Sequence, residues 1–160
     1  MDQTVVVGVD GSPASRAAFR WAVEEGERRG CAVEVIHAWH VDHALVIGPV
    51  SASVAAAMDT GALRDGHRAV LDEVVGEVET DVEVRPALVE GDARDVLVKA
   101  SEHAALLVVG SRGVGPIREV LLGSVGSYCV HHAKCPVVVL RQPEPERPEP
   151  KPVVTPGPLL

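Results

Sequence analysis

Hydrophobic and polar positions along the chain switch repeatedly between two periods. Short apolar runs at Thr4 to Val9, Val33 to Trp39, Leu106 to Val109 and Pro136 to Leu140 read as strands of a parallel sheet, the first of them buried on both faces. Val82, Val84, Pro86 and Leu88 alternate instead with Glu83, Arg85 and Ala87, which predicts a half-exposed strand. Proline lacks the N–H that a central ladder needs, so this strand belongs at a sheet rim.

Helical spacing fills most of the intervals. Ser12 and Pro13 supply an N-cap and a first-turn proline, and Ala14, Ala17, Ala18, Trp21 and Ala22 follow until Gly30. Leu63, His67, Val70, Leu71, Val74, Val75 and Val78 predict a second helix from about Ala62 to Glu79. Gly91, Asp92 and Asp95 open a third, with Val96, Leu97, Ala100 and Ala104 on its buried face. Ser124 caps a fourth, which carries Val125, Tyr128, Cys129 and His132. The segment from His40 to about Thr60 shows neither period and reads as a long loop. Strands alternating with helices in this way imply an α/β fold with a doubly wound parallel sheet.

Composition narrows the partners. The 160 residues are one domain's worth, and 23 acidic against 15 basic residues give a formal charge of −8, which opposes attraction to nucleic-acid phosphates. Phe19, Trp21, Trp39 and Tyr128 are the only aromatics, too few for a base-stacking platform. Cys31, Cys129 and Cys135 show no CxxC spacing and read as core thiols of a reducing compartment. Met1, Asp2 and Gln3 run straight into a strand, without the regions of a signal peptide, and no apolar run approaches the roughly 20 residues of a membrane span. A cytoplasmic protein is therefore expected. Residues 142–160 hold seven of the twelve prolines and are expected to be a disordered tail outside a domain of residues 1–141.

Two glycine-rich turns end apolar strands. The first is Gly8, Val9, Asp10, Gly11, Ser12; the second begins Gly110, Ser111, Arg112, Gly113 and, nine residues later, reaches Gly123 and Ser124. Glycines allow the backbone close to a phosphate, a helix start offers free N–H groups at partial positive charge, and Arg112 adds a cationic donor. Singly, each glycine serves equally well to shape a turn, Ser124 to cap its helix and Asp10 to close an Asx turn. The combination of strand, GxxG, gap and GS at a helix start points to phosphate. The two turns share a crevice if the first and fourth strands are neighbours.

Other chemistries find little support. There is no GxxxxGK[ST] phosphate loop, no GxSxG elbow and no HExxH pair. His37, His40 and His43 suggest a metal, but a strand sends His37 and His40 to opposite faces and no acidic or thiol ligand accompanies them, so no metal site and no catalytic set is assigned. His131 and His132 fall where a helix C-terminus attracts them.

GSRGVGPIREVLLGSVGSYCVHHAKCPVVVL at 110–140 resembles the C-terminal signature of the universal stress protein family, and VVVGVDGSPAS at 5–15 and VEVIHAW at 33–39 resemble its first two strands. The resemblance covers about residues 3–141. It implies a Rossmann-like domain of five parallel strands in the order 3-2-1-4-5 with four helices, which supplies the missing adjacency. Members that keep G-x2-G-x9-G-[S/T] typically bind ATP, and this chain keeps the pattern in full. By position, Gly8, Val9 and Asp10 would line the adenosine, with Asp10 near the ribose or a metal such as Mg²⁺, and Ala38 would lie against the base. Val109 and Gly110 would border the nucleotide; Arg112, Gly113, Gly123, Ser124, Val125 and Gly126 would surround its phosphates. Arg112 stands where histidine is common, and Gly115-Pro116 replaces a glycine pair, removing one N–H donor.

The family implies a nucleotide-dependent stress-response or signalling module with at most slow hydrolysis. Its alternatives are a cyclic-AMP binder and an interaction protein that needs no nucleotide. It also implies a homodimer, matching the unprotected apolar edge strand Val137 to Leu140.

Overall fold

The structure, a computed structural model, describes residues 4–40, 60–112 and 122–141. The loop expected between His40 and Thr60, Gly113 and the Pro-rich segment fall outside these residues. Five strands, β1 (Thr4–Gly8), β2 (Val33–Trp39), β3 (Val84–Glu90), β4 (Ala104–Gly110) and β5 (Val137–Leu140), form one sheet in the order β3-β2-β1-β4-β5. Every pairing is parallel. Four helices lie between them among the described residues: α1 (Pro13–Arg29), α2 (Thr60–Gly76), α3 (Ala93–Ala100) and α4 (Ser124–His132). The expected doubly wound fold and its strand order are both present.

Burial follows strand position. Val5, Val6 and Val7 of the central strand are 0% exposed, and each fully buried apolar side chain of this size contributes about 1.5–3 kcal/mol. One face of the sheet packs on α1 and α2 through Val5, Val7, Val33, Val35 and Val108 against Phe19, Ala22, Leu71 and Val74. The other holds Val6, Ile36, Leu107 and Val109 against Leu97, Ala100 and Cys129. Burial pushes the Cys129 thiol up to about 11, as fits an inert core residue. The rim strand β3 has no fully covered residue, and its Pro86 sits exposed beside Val35.

Local signals set most element ends. Ser12 caps α1 by accepting from the Ser15 N–H at 3.3 Å, Pro13 opens the helix, and Gly30 closes it at φ 64°. Asp92 caps α3 by accepting from the Arg94 N–H at 2.8 Å.

Three expectations need correction. Gly123, not Ser124, is the N-cap residue of α4, and no side chain caps that end; Ser124 is the first helical residue. α3 stops at Ala100, and Ala104 opens β4 opposite Thr4 instead of joining a helical face. The buried face of α1 runs through Ala18, Phe19, Ala22 and Val23, in one cluster with Leu71 and Val74 of α2, while Ala17 and Trp21 are half-buried. Arg16 reinforces that contact by pairing with Glu73 at 3.0 Å and with Glu77.

Candidate functional site

The strand order reverses between β1 and β4, so their carboxyl ends bound the crevice where an open parallel sheet takes ligands. Pairing of Val7 with Val108 aligns these ends. The two glycine turns meet directly: the Ser12 hydroxyl donates to the Arg112 carbonyl at 3.4 Å, across 100 positions of sequence. Behind them Ser111, 4% exposed, donates its N–H to the Leu140 carbonyl and accepts from the Gly123 N–H, each at 2.7 Å. The start of α4 is thereby fixed to the end of β4.

Gly8, Val9 and Asp10 end β1 and begin its turn, Val109, Gly110 and Arg112 do the same for β4, and Gly123, Ser124, Val125 and Gly126 form the α4 N-terminus that the Gly123–Ser111 bond ties to β4. Ala38, Gly8 and Val109 fall on the sheet face that carries α3 and α4. Ser124 and Arg112 are exposed, Gly126 is buried, and Gly113 lies outside the described residues. With no side-chain cap on α4, the N–H groups of its first turn are oriented for an anion, and the exposed Ser124 hydroxyl lies beside them.

Geometry revises the part given to two residues. A methyl group at Gly110 would lie 2.8 Å from the Ala14 carbonyl carbon and 2.9 Å from the Ser15 nitrogen, so this glycine lets β4 end against the first turn of α1. Positive φ occurs at Gly11, Gly30 and Gly91 among the described residues, not at Gly110. The Asp10 carboxylate accepts from the Ser12 N–H at 2.9 Å, an Asx turn, and the Asp10 N–H is held by the Ser15 hydroxyl at 3.2 Å. One carboxylate oxygen of Asp10 is thus committed to the loop.

Sequence reasoning missed three supports of the crevice: Ser15, Ser111 and a histidine pair. His37, 5% exposed, binds the Val9 carbonyl through Nδ1 at 2.7 Å and the Nδ1 of His67 through Nε2 at 2.8 Å. A carbonyl only accepts, so the neutral His37 carries its hydrogen on Nδ1, and His67 donates to the bare Nε2. Desolvation, with His37 and His40 nearby, holds the His67 imidazole below its ordinary value. No local signal announces this pair, since its members sit in a strand and a helix. Spacing alone exposed His131 and His132 correctly: their Nδ1 atoms lie 2.7 and 2.9 Å from the Ser127 and Tyr128 carbonyls.

Elsewhere, Asp92 is held down to about 2, mainly by its hydrogen bonds to the Arg94 side chain and N–H. An open cleft of about 460 Å³ lies apart from the crevice, between Trp39, Leu88 and Glu90 and the start of α2 at Thr60, Gly61 and Arg64. Among the described residues no three His, Cys, Asp or Glu side chains gather as metal ligands, and no helix is long and apolar enough to cross a membrane.

A doubly wound α/β domain with glycine turns facing each other at its switch point belongs to the class that receives small ligands beyond the strand ends. The universal stress protein family model matches residues 1–141, and the chain belongs to that family. A universal stress protein of Mycobacterium tuberculosis, Rv2623, is 33% identical over 92% of the chain and 50% of its own length. The chain thus spans about half the length of the curated relatives it matches. Among solved structures, UspA from Lactobacillus plantarum superposes with a TM-score of 0.65 at 24% identity, covering 88% of this chain and 98% of that one. A universal stress protein solved in complex with cAMP gives 0.54 at 29% identity, covering 86% and 95%.

Proposed function

We propose that the chain is an adenine-nucleotide-binding member of its family, with ATP as the ligand and residues 1–141 as the binding domain. The observation that carries this reading is the joined pair of turns, Ser12 to Arg112 and Ser111 to Gly123, which places an uncapped helix start beside the end of β1. The α4 N–H groups, the Ser124 hydroxyl and Arg112 would take the phosphates; Gly8, Val9 and Ala38 would take the adenosine side. The Gly123 N–H is spent on Ser111, so the donors fall to Ser124, Val125 and Gly126. Bound Mg²⁺ would neutralise phosphate charge. Asp10 would offer it a carboxylate, with one oxygen already used in its turn.

A nucleotide that binds one conformation better than another shifts the population toward it, and that is the activity proposed, in a cytoplasmic stress-response or signalling role. Hydrolysis is assigned no residue. The cAMP complex of a relative supports a second reading, in which the same crevice takes a cyclic nucleotide.

Equilibrium dialysis of the purified protein against ATP and against cAMP tests both readings. Binding of ATP that falls at least tenfold in Gly113→Ala or in Gly123→Val supports the first. Retention of cAMP alone selects the second, and no binding of either at millimolar concentration rejects both in favour of a nucleotide-independent interaction protein.

A further inference from the structure

Residues 60–66, the first half of α2, are all exposed, and the buried side chains of the helix, Leu71 and Val74, lie in its second half. Between the two halves stands His67. Its ring lies 5.7 Å from the Trp39 ring and 5.1 Å from the His37 ring, and its Nδ1 joins the thread that runs through His37 to the Val9 carbonyl. We propose that His37 and His67 form a proton-operated latch, which holds the first half of α2 against the carboxyl end of β1 at neutral pH and releases it in acid.

Hydrogen positions explain the switch. In the neutral pair every ring nitrogen between Val9 and His67 has a donor facing an acceptor. A first added proton goes to Nε2 of His67, which keeps the thread but sets a cation beside Trp39 and His40. A second proton puts hydrogens on both His37 Nε2 and His67 Nδ1, two donors facing each other at 2.8 Å with no acceptor between them. The latch opens at that step.

Surrounding charge grades the first step without rescuing the second. On α2 the neighbours are Arg64, Asp65 and Arg68, and on β2 the neighbour is His40. Glu90 of β3 pairs in register with Trp39 and shares the cleft with Arg64. Beyond β1 stands Asp10, engaged by the Ser12 N–H, and at the start of α3 stands Asp92, engaged by Arg94. Of these groups His40, together with His37, opposes a first proton on His67.

The latched geometry leaves no place for the second proton, so its hold weakens as the pH falls below the ordinary imidazole value of about 6.5. The low-lying His67 imidazole agrees in direction. Each proton refused by the latched form raises the open fraction about tenfold per pH unit.

Amide exchange of residues 64–68 in the full chain, corrected for its intrinsic pH dependence, reads the opening between pH 7.5 and 5. In the wild-type protein protection should fall about tenfold per unit below pH 6.5. In His67→Asn the side-chain amide donates to the bare His37 Nε2 and, turned over, accepts from it once that nitrogen is protonated, so protection should stay level. Equal pH dependence in both proteins would overturn the latch. Should the variant not fold, histidine-ring NMR of the wild-type protein decides alone: a His37 ring carrying its hydrogen on Nδ1 and two unequal, coupled steps support it, and two independent steps near 6.5 reject it. No nucleotide takes part in these measurements, so their failure leaves the crevice reading intact.

Discussion

Gly8 and Gly110 end neighbouring strands, yet an added methyl group meets different surroundings at each. At Gly8 it would lie 2.7 Å from the terminal methyl of Leu97, a side chain able to swing aside; at Gly110 it meets α1 backbone on three atoms within 3.0 Å. Gly110→Ala should cost about 2 kcal/mol of stability through overpacking, and Gly8→Ala distinctly less, as urea midpoints of the two variants will show. An unchanged midpoint in Gly110→Ala with weakened ATP binding would instead assign that glycine to the ligand. The sequence displays both residues only as strand-ending glycines. It hides their difference, because the obstacle at Gly110 belongs to Ala14 and Ser15, almost a hundred positions away, and the same distance problem conceals the partner of His37.

Elements were far more legible than contacts. Ser12-Pro13 and Gly30 bracket α1, and the Val-rich runs mark the inner strands, because caps and continuous apolar stretches act within a few residues. Helix ends with competing signals were misread: Ser124 is a good cap residue, yet the bond from Gly123 to Ser111 moves the cap one position earlier and leaves Ser124 in the first turn. At the start of α3 the signal is unambiguous. Removing the cap in Asp92→Ala should lower stability by about 1 kcal/mol near neutral pH. Because the folded value of Asp92 is depressed to about 2, its contribution is present above about pH 4 and is lost as the pH falls toward 2. A pH series of urea midpoints should therefore show the gap between wild type and variant closing in acid, and a constant gap would deny the carboxylate its part.

At the scale of the molecule, the two rims of the sheet differ. β3 presents Arg85, Pro86 and Glu90, all exposed, whereas β5 is Val-Val-Val-Leu, with all four residues partly uncovered. Among the described residues no strand pairs with the outer side of β5, and such an apolar edge invites a second strand, so we expect a homodimer through β5. Sedimentation at micromolar concentration should give twice the monomer mass, and β5 amides should gain protection as concentration rises; a monomeric mass would count against pairing there. Strand order was not readable from periodicity, which reports how far each strand is covered but not by whom; only the resemblance placed β4 beside β1. That placement has a consequence for synthesis. β2 and β3 can join β1 early, but the opposite edge of Thr4–Gly8 waits for Ala104–Gly110, made roughly 5–20 s later at ordinary ribosomal rates. During that interval the central strand, four of whose five residues end up buried, has one open side, an edge on which misassembly competes until β4 arrives.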